Sequence, residues 1–415
     1  MTSIKFIIIP ISDLNHKYIM DTKITKKPPS IWSLAAVTGL APLTLNLIVP
    51  SLPALSLYFD ISYSSAQMAI SSFIISMALG QIFIGPISDA YGRRSILMLG
   101  IIIFLVGTLI CSFAQSSELL IFGRFVQAFG GVAGVVLGRA IIRDVYSREK
   151  AASALGYVTT VMVIAPMIAP PLGGILQDLF GWRSIFYVML IVGIFLLVNI
   201  FYNLEETKTE DRIKGNISSL IGSFGELIKL PKFILFTITM SCTNSMFFTF
   251  LGVAPYLVIQ KLNFSPTHYG FTFMLISFAF MSGSFTTAKL SERVGSLRMI
   301  SFAVFGAILG STIMLILFIN EILNIYIIFG TMMIVTYSNG IVMPNIIANV
   351  VSIRPKLAGA ASGLSGCIQY SIAGASSYIA ALLAGVGLIY MPIQLVFLAV
   401  VGTCSFYLGQ SLNNK

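Results

Sequence analysis

Apolar residues occupy nearly the whole chain in runs of about 20, and a run of that length spans the hydrocarbon core of a bilayer as a helix. In lipid only helices and closed barrels satisfy their own backbone, so each run is predicted to be a transmembrane helix. Twelve are predicted, at 31–54, 65–86, 95–114, 119–140, 152–176, 184–203, 233–258, 268–288, 299–319, 324–350, 357–384 and 388–409. The fold class is therefore all-α integral membrane. Connections between the runs are short except for 204–232.

That long connection carries five acidic and five basic residues and divides six spans from six. The expected organisation is a tail over 1–30, a six-helix bundle over 31–204, a linker over 205–232, a second bundle over 233–410 and a short tail over 411–415. The linker reads as a tether, with a surface helix over 217–228 as the alternative. In the first tail the run Phe6–Ile11 is too short to cross a membrane, and four lysines follow it without a cleavage pattern. Translation starts at Met1 or at Met20. An internal echo supports duplication: Asp89 and Gly92 after the second span return as Glu292 and Gly295 after the eighth, both at an offset of 203.

Composition agrees, with 57% hydrophobic and 10% charged residues against roughly 25% charged in soluble domains. The net charge of +10 raises nucleic acid as a partner, but the basic residues lie in short loops and form no stripe interleaved with aromatics. Their placement instead sets orientation: with both termini cytoplasmic, 22 of 25 Lys and Arg lie on that side, and only Arg124, Arg183 and Lys261 do not. This places the chain in a bacterial-type inner membrane with the bilayer as its constant partner. Cys111, Cys242, Cys367 and Cys404 sit inside apolar runs as reduced packing residues, and His16 and His268 have no partners at metal-ligand spacing. No cofactor is expected. No carboxylate lies mid-membrane, which argues against an enzyme embedded in lipid.

The loop after the second span reads Gly85-Pro86-Ile87-Ser88-Asp89-Ala90-Tyr91-Gly92-Arg93-Arg94. Gly85 permits close helix approach, Asp89 can face a helix N-terminus, Gly92 permits a tight turn, and Arg93 and Arg94 are expected at the cytoplasmic surface. The fourth span carries Arg124, Gln127 and Gly130, then Arg139, Arg143 and Asp144 toward its cytoplasmic end. A charge at the depth of Arg124 costs at least ~2.5 kcal/mol and needs polar surroundings. The fifth span holds Pro166, Pro170, Pro171, Gly173 and Gly174, a combination that bends a helix and lets it press on a neighbour, as a hinge and seal would.

The first of these patterns resembles the G-x-x-x-D-x-x-G-R-R signature of the major facilitator superfamily, and the other two resemble its second and third motifs. With "GWRSIF", "GVAPYLVIQ", "VMPNIIA" and "AGAASGLSGCIQYSIAG", the chain is similar over nearly its whole length to the Bcr/CflA drug-resistance group. The resemblance implies a proton-driven exporter of drugs or other small hydrophobic compounds that works by alternating access, expected as a monomer. It further implies that Asp144 pairs with Arg93 and that Asp89 addresses the start of the eleventh span, together latching the cytoplasmic side.

One departure matters. Asn46 stands in the first span where many relatives carry an aspartate, and an amide cannot take up a proton. Arg124 and Asn46 lie at a similar depth, so the amide oxygen is expected to accept from the guanidinium. Two roles for Arg124 are open: it meets an anionic or carbonyl-rich substrate, or it bonds carbonyls of the first span loosened by Pro50 and Pro53. Gln127, Asn244, Asn339 and Gln369 are expected to supply neutral hydrogen bonds in the cavity. Among the aromatics, Tyr256 with a subset of Phe247, Phe248, Phe250 and Tyr337 would suit apolar compounds. Coupling would then use Asp89, Asp144, Asp60 or a proton on the substrate. The alternative function is uptake or uncoupled movement of a small metabolite, neutral or anionic.

Overall fold

A computed structural model describes residues 29–146, 148–207 and 217–412. The apolar run at 6–11, both candidate start sites and Lys415 lie outside the described residues. Twelve helices are long and apolar enough to cross a membrane, and no strand occurs among the described residues. In chain order they are α1 (Ile31–Tyr58), α2 (Tyr63–Tyr91), α3 (Arg93–Ser112), α4 (Ser117–Val145), α5 (Arg148–Phe180), α6 (Arg183–Asn203), α7 (Pro231–Lys261), α8 (Pro266–Val294), α9 (Ser296–Ile319), α10 (Ile325–Ser352), α11 (Pro355–Ala384) and α12 (Tyr390–Ser411). Several run past the predicted apolar stretches, as α2, α4 and α8 do at their C-terminal ends. Polar residues there extend the helix beyond the depth that hydropathy registers.

Twelve crossings return the chain to the face it left, here termed the terminal face; the other is the far face. Four helices that start at the far face carry polar N-caps: Ser62, Ser116, Ser265 and Asn324 each accept a backbone N–H from the first turn of α2, α4, α8 and α10. At the terminal face α3 and α9 start instead at Gly92 and Gly295, with φ of 100° and 88°. Only glycine holds those angles cheaply, and the chain reverses there within one residue.

Proline interrupts α1. Pro50 and Pro53 bring no N–H, and the helix passes through a single tighter turn at Val49–Ser51 before resuming at Leu52. At that break the Ile48 N–H turns to the Asn46 carbonyl. The Thr44 carbonyl thereby loses the partner that an unbroken helix would supply.

Within the first half α1 packs on α4, α5 and α6, and α4 on α2 and α3. Within the second, α7 packs on α10, α11 and α12, and α10 on α8 and α9, so the pairs repeat with a shift of six. The halves meet along α2 with α11 and along α5 with α8. Of the two forms open for 217–228 the helix is the one seen, Ile217–Ile228, whose Leu227 is buried and whose Phe224 packs against the apolar cluster that holds Leu227 and Phe233. Its Glu226 lies 3.6 Å from Arg354. This amphipathic segment occupies an apolar crevice beside α7 and α11.

Candidate functional site

The halves are sealed at the far face. The Tyr63 hydroxyl donates to the Gly252 carbonyl at 3.0 Å, and the two rings of Tyr63 and Tyr256 lie 5.0 Å apart. The Gln67 amide donates to Ser377 at 2.8 Å, bridging α2 and α11. Between α5 and α8, Gly174 and Gly270 bring backbone against backbone: a Cβ on Gly174 would overlap the Pro266 carbonyl, and one on Gly270 the Pro170 carbonyl. Gly173 does the same against Leu47 of α1. Gly173, Gly174 and Pro170, expected at a hinge, are thus the contact points of the seal, and Tyr256 belongs to it rather than to a cavity wall.

Toward the terminal face the halves part. Tyr157, Thr159 and Thr160 on α5 are exposed, and Gly156 has nothing within 4 Å of where a Cβ would lie. Gly85 was expected to allow a close helix approach, yet the nearest side-chain atom is Val136 Cγ1 at 4.0 Å. Among the described residues no atom of the second half lies within 4 Å of that position.

Between seal and opening lies a cavity of about 190 Å³ with walls from α1, α2, α5, α7, α8, α10 and α11. Among the described residues its lining carries no Asp, Glu, Lys, Arg or His. Phe247, Phe248 and Tyr370 supply aromatic area, Met77 and Met162 adaptable apolar area, and Pro166 projects from α5. Three amides are set into this wall. Asn46 donates to the Pro42 carbonyl at 2.9 Å and leaves Oδ1 without a partner; Asn339 donates to the Thr243 carbonyl at 2.9 Å and also leaves Oδ1 unpartnered; Asn244 leaves Nδ2 unpartnered. Each unmet amide atom costs about 1–3 kcal/mol while it stays buried without a partner.

Other expected members lie elsewhere. Arg124 is fully buried inside the first half, outside the cavity lining. It donates to Gln127 Oε1 at 2.7 Å, to the Ala69 carbonyl at 3.3 Å and to the Thr44 carbonyl at 3.4 Å, and it lies 4.2 Å from the Phe73 ring centre. Gln127 passes the chain on to Thr108 at 2.8 Å. The expected bond between Asn46 and Arg124 is not made, since Asn46 Oδ1 has no partner. Residues 44 and 46 are 200° apart on a helix at 100° per residue, so Thr44 faces into the half while Asn46 faces the cavity. Gln369 is likewise buried off the cavity, and its neighbour Tyr370 lines it instead. Phe250 packs against Phe329 within the second half, and Tyr337 is exposed beside Thr286.

Below the cavity, successive turns of α2 from Met77 through Gln81 and Gly85 to Asp89 lead into a vestibule of about 450 Å³. Arg93 was expected at the surface and is buried, 8% exposed. Its guanidinium is 2.7 Å from Asp89 and 3.0 Å from Asp144, and it donates to Ser88 at 2.6 Å. The positive φ of Gly92 folds it inward, where two carboxylates neutralise it. Arg94 donates to the Phe201 carbonyl at 2.7 Å. Glu206, which the sequence did not single out, accepts the Arg93 N–H at 2.7 Å and ties the exit of α6 to the start of α3. Asp89 shares the vestibule wall with Ala358 and Gly359 at the start of α11.

Residues 34–378 match the Major Facilitator Superfamily. An uncharacterized MFS-type transporter of Bacillus subtilis is 29% identical over 68% of this chain and 71% of its own length. A bicyclomycin resistance protein homolog of Haemophilus influenzae is 27% identical over 82% of this chain and 86% of its own. The multidrug resistance protein MdtL of Escherichia coli is 28% identical over 61% and 64%. Among solved structures, a bacterial homolog of the human lysosomal transporter Spinster, inward-facing and occupied, superposes with TM-score 0.72 at 15% identity over 93% of this chain and 98% of that one. A D-xylose-proton symporter superposes with TM-score 0.72 at 13% identity over 91% and 97%.

Proposed function

The chain belongs to the major facilitator superfamily, a membrane transporter of small molecules, and on that premise we propose that it exports drugs or similar compact hydrophobic compounds by alternating access. The observation that carries this is the uncharged aromatic cavity between the halves, sealed at one face and open toward the other. Apolar lining binds by area burial, while the three amides add hydrogen bonds without demanding one fixed ligand geometry. Relatives named for bicyclomycin and multidrug resistance support a drug as substrate. With 22 of 25 Lys and Arg assigned to the terminal side, that face is cytoplasmic, the membrane is an inner membrane, and the conformation is open inward.

Asp89, Asp144 and Arg93 form the inner gate in this reading, and Gly85, Gly92 and Arg94 shape its loop. Gly173, Gly174, Pro166 and Pro170 govern the outer closure. Arg124 and Gln127 hold α1, α2 and α4 in register and act on the site from behind it. The chain works as a monomer driven by protons, which bind at Asp89, Asp144 or Asp60, since the cavity has no carboxylate. That same lack favours a second reading, an uncoupled facilitator or uptake carrier. Flux into proteoliposomes with and without an imposed pH gradient tests both. Accumulation against the compound's own gradient only when the proton gradient is present supports export by antiport; equal steady-state levels in both overturn it. A susceptibility panel in an efflux-deficient host, comparing wild type with Asp89→Asn, tests the substrate class.

A further inference from the structure

The cavity wall is neutral, but one charge stands at its threshold. Arg139 projects from α4 into the vestibule and donates to the Met162 thioether at 3.1 Å, and Met162 is itself part of the cavity lining. Tyr370, on α11, also lines the cavity. A thioether is a weak acceptor, so this guanidinium keeps most of its five donors for other partners.

The remaining charges in the vestibule are Asp89, Arg93 and Arg143, with Asp144 just behind Arg93. Both carboxylates are held on Arg93 at 2.7 and 3.0 Å. Among the described residues no carboxylate pairs with Arg139 or Arg143. Among the described residues the path from the open face to the cavity therefore carries a net positive charge, and it ends in a pocket lined by no described anion to receive a cation. Low-dielectric walls on either side strengthen both the attraction of an anion and the exclusion of a cation.

Deepening the transporter reading, on which it rests, we propose that this cavity selects its substrates by charge. It takes neutral and anionic aromatic compounds and rejects organic cations, with Arg139 as the residue that meets the anionic group. The aromatic body lies against Phe247, Phe248 and Tyr370, and a carboxylate at its edge accepts from the Arg139 guanidinium in place of Met162. Guanidinium and carboxylate match as planar two-pronged partners, which lysine does not reproduce.

The test uses the full chain in detergent and three probes of one shape: naphthoate, naphthamide and naphthylmethylammonium, with binding measured by equilibrium dialysis. Wild type is expected to bind the carboxylate roughly tenfold or more tighter than the ammonium, with the amide between. Arg139→Gln is expected to lower carboxylate binding to the level of the amide while leaving the amide unchanged, which also reports that the variant is folded. Arg139→Lys should keep part of the preference. Ammonium binding that equals or exceeds carboxylate binding, or carboxylate binding indifferent to Arg139→Gln, overturns the proposal. If the amide binds and the ammonium binds as well as the carboxylate, charge selection alone falls. If none of the three binds wild type, the cavity is not the binding site and the reading beneath the proposal falls with it.

Discussion

Asp178, at the C-terminal end of α5, seats its carboxylate on the first turn of α8, accepting the Thr267 backbone N–H at 3.0 Å and the Thr267 hydroxyl at 2.5 Å. One oxygen of the first half thus caps a helix of the second half at the far face. Unpaired N–H groups and the helix dipole make that N-terminus a favourable place for an anion. The carboxylate sits at a helix end that alternating access must separate. The relation of α5 to α8 there mirrors that of α2 to α11, where Asp89 lines the vestibule beside the start of α11.

Neutralising Asp178 should therefore loosen the far face without disturbing the cavity. Asp178→Asn keeps the size of the side chain and removes the charge that the helix end favours. Ser71, buried close to the α2–α11 contact with Gly374, reports the opening when replaced by cysteine. Labelling of Ser71→Cys from the far face is expected to be faster in the Asp178→Asn background. Unchanged labelling would mean that the backbone contacts of the seal hold it alone.

Those backbone contacts make their own prediction. Gly174→Ala and Gly270→Ala each place a methyl group on a carbonyl of the opposite half, with no flexible side chain to give way. Overpacking of this kind costs about 1–3 kcal/mol, and the halves relieve it by separating. Both variants should melt earlier in detergent and transport more slowly. Gly156→Ala, on the same α5 with nothing within 4 Å, should do neither; in a helix interior it is expected to gain about 0.5–1 kcal/mol.

The twelve spans and their division into halves were legible because lipid enforces them: a run of apolar residues has no other stable arrangement. Asn46, Asn244 and Asn339 were legible as cavity residues because an amide in an apolar run needs a polar neighbour. Arg124 was legible as buried, and of its two open roles the structure shows the bond to a carbonyl of the broken first span, a choice that depth along a helix could not make. Thr44 and Asn46 differ by two residues and half a turn, and that half turn decides whether Arg124 meets the cavity or the bundle. Tyr370 and Gln369 differ by one residue, and helical pattern in an evenly apolar span does not separate them. Phe224 and Leu227 bury themselves against α7 and α11, partners that come into place only when the second half folds.

Arg124 tests the distinction between a residue that binds and one that braces. Its bonds run to carbonyls of α1 and α2 and to Gln127, so Arg124→Met leaves those acceptors without donors, at about 1–3 kcal/mol for each that stays dry. The expected result is a lower melting temperature and a fall in transport by the same factor for every compound in a panel. A variant at the cavity wall should behave otherwise. Asn46→Asp adds a carboxylate to a neutral lining, and organic cations excluded by the wild type are expected to become substrates while neutral compounds change little. It also gives the cavity a group that takes and gives up a proton, so transport should respond more strongly to an imposed pH gradient. A panel in which Arg124→Met changes the ranking of compounds, or Asn46→Asp leaves it intact, would reverse the two assignments.

The paired turns at Gly92 and Gly295 separate backbone strain from contact. Both hold φ near +90°, where any other L-residue is strained, so alanine at either costs on the order of 1 kcal/mol. Around Gly295 there is open space, whereas a Cβ on Gly92 would overlap the Glu206 carboxylate. That carboxylate does for α3 what a capping side chain does elsewhere, because Gly92 has none to offer. Gly92→Ala should therefore lose the strain energy and also the cap, worth about 0.5–2 kcal/mol, while Gly295→Ala loses only the first. In a Glu206→Ala background the difference between the two glycine variants should close, because the cap is already gone. Melting temperatures of the three single and two double variants measure this directly, and a gap that persists without Glu206 would place the extra cost of Gly92→Ala in the Arg93 ion pairs instead.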